Sequence, residues 1–327
     1  MFLTLPEDDQ TVSIYRDFLP HRVFDAHVHL HGAGTIPHVY NPNGVFCREC
    51  GTAEDYLTDM SPFFPNVREF RLHAMPMPDP LMNDPANGMR QKANAHIVQE
   101  LQKNPSHVGA CYVLQGDGER EIEQMADLEG IRAIKCYWFA AGKQNGEDCD
   151  IQDYLPVAAW EVAERRRLPI FLHMMRPHAL SDEKNFSYIV QMARRYPNAK
   201  LVLAHCARAF ASWTGVKKIC QLHNCENIWF DTAAICEPSP MMACIKYAPD
   251  RTVWGSDYPI CMNRGKVISL GSGFYWLTGK NAPRDASSAL IAENLLALYQ
   301  ACLLLDTDQS LVERLFYGNA VKLFGLT

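Results

Sequence analysis

The chain has 327 residues, of which 48% are hydrophobic and 21% are charged, and its formal net charge is −6. This composition is typical of a soluble globular protein, and the negative charge argues against a nucleic-acid-binding protein, which would carry a basic patch. The sequence has no run of roughly 18 apolar residues that could span a membrane, and its start, MFLTLPEDDQ, lacks the basic region of a secretory signal. We therefore expect a small-molecule substrate and neither a nucleic-acid nor a membrane partner.

The twelve cysteines are scattered along the chain, and several lie inside apolar runs such as GACYVL and AIKCYWF. This distribution favours free thiols in a reducing, cytoplasmic setting over a disulfide framework. Cys47 and Cys50 form a CxxC motif in VFCREC, but a single pair is weak evidence for structural zinc. The favoured interpretation is two thiols in a long loop.

Eight short runs rich in β-branched and aromatic residues predict strands. In chain order they are RVFDAHV, REFRLHAM, HVGACYVL, GIRAIKCYWF, LPIFLHM, AKLVLAHC, NIWFDTA and RTVWGSD. Most are almost continuously apolar, as in parallel strands that are covered on both sides. Eight repeats of roughly 25 to 45 residues, with helices between the strands, predict an α/β fold of the (β/α)8 TIM-barrel type.

The segments between the strands include helical patterns, for example at residues 84–103, 153–167 and 185–195. Two connections are longer than turns: about 32–66 after the first strand and about 260–284 after the eighth. Both would lie over the carboxyl end of a barrel, where active sites are built. No linker divides the chain, so a single domain over residues 1–327 is expected.

Polar side chains end several of the predicted apolar strands. They are His27 and His29 on the first strand, His173 on the fifth, His205 on the sixth and Asp257 on the eighth, and Lys135 lies within the fourth. The carboxyl ends of barrel strands meet at one mouth, so these groups are expected to converge there. Strict alternation along the first strand puts His27 and His29 on one face, with Asp25 on the same side.

The elements HVH, FLH, LAH and GSDYP, in this order, resemble the amidohydrolase superfamily of metal-dependent barrels. The endings GSDYP and YGNAVKLFGL resemble its amidohydrolase-2 branch, which includes decarboxylases related to aminocarboxymuconate-semialdehyde decarboxylase as well as lactonases and other hydrolases. The resemblance extends from Phe24 to Leu326. Members of this branch are often dimers, so the resemblance implies a homodimer.

The resemblance implies that His27, His29 and His173 are nitrogen ligands of a metal, with Asp257 a further ligand or the base beside it. Such a set suits one Zn²⁺, with Mn²⁺ as the alternative. His205 would be a second ligand in a binuclear site, or an acid, base or substrate contact in a mononuclear one. Zinc is the favoured ion and a mononuclear site the favoured arrangement.

Three cationic residues have open roles. Lys135 would be a carboxylated bridge between two metals in a binuclear site. In the favoured mononuclear site it is a cation that binds substrate or lies behind the metal ligands, and a lysine that reaches solvent is the alternative. Arg176 and Arg208 each follow a strand-end histidine by three residues. Guanidinium groups bind carboxylates with two hydrogen bonds, so these arginines are either ligands of a carboxylated substrate or loop anchors.

The leading functional hypothesis is hydrolysis of an ester, lactone or amide of a small carboxylated metabolite by a metal-activated water. Asp257 would accept the proton of the water, and His205 would stabilise the oxyanion or act as an acid. The alternative is non-oxidative decarboxylation of a small carboxylic acid in the same site. A third hypothesis, a barrel that binds ligands without catalysis, is disfavoured because every ligand position is filled.

Overall fold

The computed structural model describes residues 2–38, 48–282 and 288–326. Eight strands form one sheet, and two more form a separate hairpin. The strands are β1 (Arg22–Leu30), β2 (Glu69–Pro76), β3 (Val108–Tyr112), β4 (Ile131–Cys136), β5 (Pro169–Leu172), β6 (Lys200–Leu203), β7 (Ile228–Asp231), β8 (Thr252–Val253), β9 (Gly265–Leu270) and β10 (Gly273–Thr278).

The eight strands β1 to β8 follow one another around a barrel. Each pairs with the next in parallel, in the order of the chain. Between β8 and β1 the barrel is closed by a parallel bridge from Val28 to Tyr258 and by a hydrogen bond from the backbone N–H of Ala26 to the carbonyl of Trp254. The predicted (β/α)8 barrel is confirmed.

Helices surround the barrel. They are α1 (Pro6–Tyr15), α2 (Ala53–Met60), α3 (Met89–Lys103), α4 (Glu119–Ala126), α5 (Val157–Arg166), α6 (Glu183–Arg195), α7 (Ala204–Arg208), α8 (Ser212–Ile219), α9 (Pro238–Tyr247), α10 (Leu290–Leu304), α11 (Gln309–Glu313) and α12 (Asn319–Leu323), with a π-helical turn at Arg314–Gly318. Among the described helices, none combines the length and the apolar character needed to cross a bilayer.

Aromatic side chains fill the part of the barrel interior that lies farthest from the mouth, next to the C-terminal segment. Phe24 of β1 and Phe171 of β5 pack with Phe324, which follows α12, and the rings of Phe171 and Phe324 are stacked 6.2 Å apart. His73 of β2 lies against both Phe171 and Phe324 and is fully buried. The C-terminal segment therefore closes the end of the barrel opposite the mouth.

A β-bulge in β1 changes which side chains face the interior. Between Asp25 and Val28, β1 has one residue more than the facing part of β2. Before the bulge Phe24 and Ala26 pack inside the barrel, and after it Val28 packs outside. The expectation that Asp25 shares a face with His27 is wrong, because the bulge shifts the alternation by one residue. Asp25 instead accepts hydrogen bonds from Tyr56 of α2 and from the backbone N–H of Ser256.

The two long connections of the sequence carry structure of their own. The segment after β1 contains α2, and the segment after β8 contains the antiparallel hairpin β9–β10. Cys47 of the CxxC motif lies outside the described residues. Cys50 is described as a free cysteine.

His107, directly before β3, makes the fold sensitive to acid. The residue is 3% exposed, and its Nε2 has no hydrogen-bond partner in the described part of the chain. Burial lowers the pKa of His107 to about 4, so the folded protein keeps the ring neutral while the unfolded chain binds a proton below pH 6.5. The stability that a neutral His107 provides is complete above the unfolded pKa and is lost progressively as the pH falls from the unfolded pKa to the folded one.

We expect that a His107→Gln variant loses less stability than the parent between pH 7 and pH 5. The difference in the free energy of unfolding should be about 2 kcal/mol, from the shift of the titration between the two states. Urea denaturation at both pH values measures it. Between pH 7 and pH 8 the two proteins should change in parallel, and equal losses down to pH 5 would contradict the prediction.

Candidate metal centre and active site

A cavity of about 280 Å³ lies at the carboxyl ends of the barrel strands. Its polar lining is His27, His29, Lys135, His173, His205 and Asp257, and its aromatic lining is Tyr137, Phe139, Phe210 and Trp276. Six of the eight predicted site residues therefore meet in one cavity, and Arg176 and Arg208 are not part of its lining.

The imidazoles of His27 and His29 are held by acceptors on their Nδ1 atoms. Nδ1 of His27 lies 2.9 Å from Oδ2 of Asp231, and Nδ1 of His29 lies 3.1 Å from the carbonyl oxygen of Pro76. A carboxylate and a carbonyl can only accept, so Nδ1 carries the proton in both rings. Each Nε2 therefore presents a lone pair to the cavity.

The two Nε2 atoms approach each other to 3.2 Å. Burial lowers the pKa of both rings well below the usual value, with further lowering by neighbouring positive charge, so both rings are neutral at pH 7. Two lone pairs at this distance with no proton between them repel each other. A cation between them removes the repulsion, and neutral imidazole is the form that binds metals.

Asp257 completes a set of three donors. Its Oδ1 lies 3.5 Å from Nε2 of His27 and 3.6 Å from Nε2 of His29. Two ligands about 2.1 Å from zinc at the tetrahedral angle are about 3.4 Å apart. The three atoms have the spacing of ligands of a single ion, and one donor group of the described residues consists of these three side chains.

The sequence GSD brings Asp257 to this position. A Cβ at Gly255 would lie 2.7 Å from the Cβ of His27, so only glycine permits this approach to β1. Asp257 itself has a φ of +65°, a left-handed conformation that costs a non-glycine residue about 1–2 kcal/mol. Its backbone N–H donates to the carbonyl of His27 at 2.9 Å, which fixes the carboxylate beside the histidines.

His205 lies on α7, which is a single turn wound left-handed. Four consecutive residues, 205–208, have φ values between +49° and +64°. Strain of this kind persists where the surrounding structure imposes it, often at functional sites. Here it orients the His205 ring, whose Nδ1 lies 2.9 Å from the carbonyl of Ala233.

The protonation of His205 limits its role. Burial lowers its pKa to about 4, so the ring is neutral at pH 7, with the proton on the Nδ1 that faces the Ala233 carbonyl. Its Nε2 is then an acceptor and lies 3.0 Å from Nδ1 of His173. This arrangement favours a base or a metal ligand at His205 over the predicted acid.

His173 contacts the other site residues through its Nδ1, which lies 3.0 Å from Nε2 of His205. Its ring lines the cavity and packs against Tyr137, with ring centroids 5.2 Å apart. It is not a member of the donor group formed by His27, His29 and Asp257. The role of His173 as a metal ligand stays a prediction.

Asp231 was not predicted as a site residue from the sequence. It is nevertheless the last residue of β7, the same kind of position as that of the predicted histidines. The residue is fully buried. Its Oδ1 accepts the backbone N–H groups of His205 and Ala233, and its Oδ2 accepts Nδ1–H of His27. Asp231, His27 and His205 form a second donor group, but both Asp231 oxygens are occupied, so we interpret it as the carboxylate that orients the two histidines.

Asp231→Asn is expected to weaken metal binding by about 10- to 100-fold, the usual effect of losing such an orienting group. The amide oxygen can keep the two backbone bonds, and its NH₂ then faces Nδ1 of His27. The ring would have to move its proton to Nε2, the atom that faces the cavity. Competition with a chromophoric chelator measures the zinc affinity. Asp150→Asn at the rim is the control, and equal affinity in the two variants would contradict this role.

Lys135 is almost fully buried and lines the cavity floor. In the described residues no hydrogen bond satisfies its ammonium. Burial lowers its pKa, and the nearby charges of Asp231 and Asp257 raise it in opposition. The positive charge of Lys135 is buried and, within the described part of the chain, is balanced only by carboxylates that do not contact it. Such a charge can bind an anionic group of a ligand.

The two predicted arginines differ in their surroundings. Arg176 forms ion pairs with Asp150 at 3.0 Å and Asp182 at 2.9 Å, an arrangement that favours a loop anchor. Arg208 is 7% exposed, lies 5.4 Å from the ring centroid of Phe274 and donates one bond to the carbonyl of Arg176. No carboxylate of the described residues pairs with Arg208, and its Nε is buried without a partner.

Solved structures with the same fold include several enzymes. 5-Carboxyvanillate decarboxylase from Sphingomonas paucimobilis is 15% identical, with 94% of this chain and 100% of that chain covered and a TM-score of 0.62. A putative 2-pyrone-4,6-dicarboxylic acid hydrolase from Pseudomonas putida is 17% identical (94% and 98% covered, TM-score 0.57). 2,6-Dihydroxybenzoate decarboxylase from Rhizobium is 11% identical (94% and 99% covered, TM-score 0.59). At these identities the likeness shows the fold alone.

No curated protein matches the sequence significantly. The model of the amidohydrolase-2 family, described as amidohydrolase, matches residues 24–326. This range contains β2 to β8, all of β1 except its first two residues, and every residue of the cavity lining. The chain belongs to the amidohydrolase-2 family of enzymes.

Proposed function

We propose that the protein is a metal-dependent hydrolase of an ester, lactone or amide bond in a small carboxylated metabolite. The observation that carries the proposal is the pair of unprotonated Nε2 atoms of His27 and His29, 3.2 Å apart, with Asp257 within 3.6 Å of both. A divalent ion held there would supply Lewis-acid polarisation of the substrate and lower the pKa of a water.

The residues of the chain supply the remaining steps. Asp257 lines the cavity and accepts a proton from the attacking water, which it then passes to the leaving group. His205, with its unprotonated Nε2, is a second acceptor in reach of the same space. The aromatic walls limit the water that enters, which strengthens the electrostatic interactions inside the cavity.

Lys135 and Arg208 support a carboxylated substrate. Lys135 is the cation of the cavity floor, and Arg208 is a buried guanidinium near the wall without a carboxylate partner in the described residues. A substrate carboxylate would balance the charge of Lys135 by direct contact. Arg208, outside the cavity lining, would add to the positive potential at the carboxylate.

Decarboxylation is the second candidate. Four aromatic side chains line the cavity beside Lys135, a setting that suits a flat ring bearing a carboxylate. Two of the similar structures named above are decarboxylases of such acids. In that reaction the same cation would hold the carboxylate, and Asp257 in its protonated form would donate the proton that replaces it.

The two candidates differ in what is consumed and released. Protein loaded with zinc, and separately with manganese, is incubated in ¹⁸O-water with carboxylated lactones, including 2-pyrone-4,6-dicarboxylate, and with 2,6-dihydroxybenzoate and 5-carboxyvanillate. Incorporation of ¹⁸O into a ring-opened acid supports hydrolysis, whereas release of CO₂ overturns it in favour of decarboxylation. Elemental analysis of the same samples counts the metals. About one per chain supports the mononuclear site, and two would assign the bridge to a carboxylated Lys135.

A further inference from the structure

The hairpin β9–β10 covers one side of the cavity. Its inner face carries Phe274 and Trp276, whose rings each lie 5.3 Å from the ring of Phe210. Trp276 also lines the cavity. Phe210 in turn stacks on His205 at 5.2 Å. The hairpin therefore extends the aromatic wall that begins next to His205.

One carboxylate joins the hairpin to the barrel. Oε1 of Glu237 accepts the backbone N–H of Ser269 at 2.8 Å, and Oε2 accepts the Ser269 hydroxyl at 2.8 Å and the Ser212 hydroxyl. The backbone N–H of Ser212 donates to Oγ of Ser269 at 2.8 Å. Ser269 belongs to β9, Ser212 begins α8, and Glu237 precedes α9, so this cluster connects three separate segments.

The local sequence explains why the carboxylate of Glu237 is available for this contact. Glu237 is the N-cap residue of α9, a position where a side-chain oxygen, commonly of Ser, Thr, Asp or Asn, accepts N–H groups of the first helical turn. Here that turn reads PSP, and Pro238 and Pro240 have no N–H. The side chain makes no cap hydrogen bond. Hydrogen bonds from Ser212 and Ser269 lower its pKa although burial raises it, so the carboxylate is charged and a strong acceptor.

We propose that Glu237 is a positioning residue, which fixes the hairpin β9–β10 so that Trp276 forms a substrate-contacting wall of the cavity. The proposal rests on the proposed function for the existence of a substrate. In the described residues the outer part of the hairpin, 269–275, has few contacts besides this cluster and the packing of Phe274 on Phe210: Trp213 donates to the carbonyl of Ser272 at 3.1 Å, and Leu270 and Tyr275 are 60% and 55% exposed. The base of the hairpin is held separately, by the buried Val267 and by an ion pair of Lys266 with Glu293. Loss of the cluster should therefore release Trp276 more than any other part of the cavity lining.

The test uses Glu237→Gln in the full-length, metal-loaded protein, with Glu164→Gln as a matched control. Glu164 also accepts two backbone N–H groups, from Asn198 and Ala199, but at the opposite end of the barrel. Hydrogen exchange followed by mass spectrometry should show the amides of residues 265–278 exchanging about tenfold faster in Glu237→Gln only. Ser269→Ala should behave in the same way, and the double variant should add little.

Two further measurements test the link to Trp276. The fluorescence of Trp276, taken as the difference from Trp276→Phe protein, should be quenched more strongly by acrylamide in Glu237→Gln. For the substrate found by the isotope assay, KM should rise about tenfold with kcat within about twofold, because a wall that binds substrate and transition state equally changes KM alone.

Unchanged hairpin exchange would overturn the role of Glu237, and faster exchange with unchanged quenching and KM would overturn the role of Trp276. If the wild-type protein turns over no substrate, the proposed function fails, while exchange and quenching still decide whether Glu237 positions the wall.

Discussion

Replacement of Asp257 by asparagine is expected to lower kcat by about 1,000-fold or more, through the combined loss of a proton acceptor and of a carboxylate beside the metal. The amide has nearly the shape of the carboxylate, and the backbone N–H of residue 257 still donates to the carbonyl of His27. The fold should therefore be preserved. Steady-state kinetics on the substrate identified by the isotope assay, together with the melting temperature, measure the two effects separately.

The control for this prediction is Asp150→Asn. Asp150 lies near the mouth and pairs with Arg176, but it does not line the cavity. Its loss should change kcat by no more than about threefold, because Asp150 does not touch the cavity and its ion pair with Arg176 is partly open to solvent. Full activity in Asp257→Asn would refute the assignment of Asp257, whichever of the two reactions the protein performs.

Replacement of His29 by alanine is expected to abolish metal retention. Among the described residues, two imidazole nitrogens lie within 3.6 Å of Asp257 Oδ1, and removal of one leaves too few donors for a stable site. After dialysis the zinc content should fall from about one per chain to less than about one tenth, and turnover should fall by about 1,000-fold. Elemental analysis of wild-type and variant protein purified in parallel measures the metal.

His29 is preferable to His27 for this experiment because the removal of His27 would leave Oδ2 of the buried Asp231 without its hydrogen bond, a destabilising change. His223→Ala, at an exposed histidine near the opposite end of the barrel, controls for unspecific metal binding. If His29→Ala retains both zinc and activity, the ion is held elsewhere and the proposed centre is incorrect.

The sequence predicted the barrel because its signals are local and repeated. Eight nearly continuous apolar runs need two covered faces, and only closed or doubly covered parallel sheets provide them. The polar groups at the strand ends follow from the same regularity. His27, His29, Lys135 and Asp257 could be placed at one mouth before their neighbours were known.

The orientation of individual side chains was harder to predict. The bulge in β1 begins at Asp25, which accepts hydrogen bonds from residues far along the chain, Tyr56 and Ser256. No local pattern encodes these contacts. Asp231 ended a predicted strand, but its function is visible only in the distance to His27. The contrast between Arg176 and Arg208 also depends on partners in other loops, since both residues follow a histidine with the same spacing.

The position of the hairpin β9–β10 was also not predictable from local sequence. The segment VISLGSGFYWL has two mainly apolar runs on either side of GSG, as a hairpin does. The contacts of this hairpin with the rest of the protein include Glu237, some 30 residues earlier. A sequence pattern can indicate that a loop has structure. It does not indicate which surface the loop covers.

Phe24, Phe171 and Phe324 fill the end of the barrel opposite the mouth. This packing determines from which end substrate can reach the cavity. With that end filled, the described residues leave the cavity open at the mouth of the barrel, where we expect substrate to enter and product to leave. A product must leave before the next substrate enters, so it should act as a competitive inhibitor. A compound that binds between the hairpin and the opposite wall of the cavity would block both substrate binding and product release without contacting the proposed metal site.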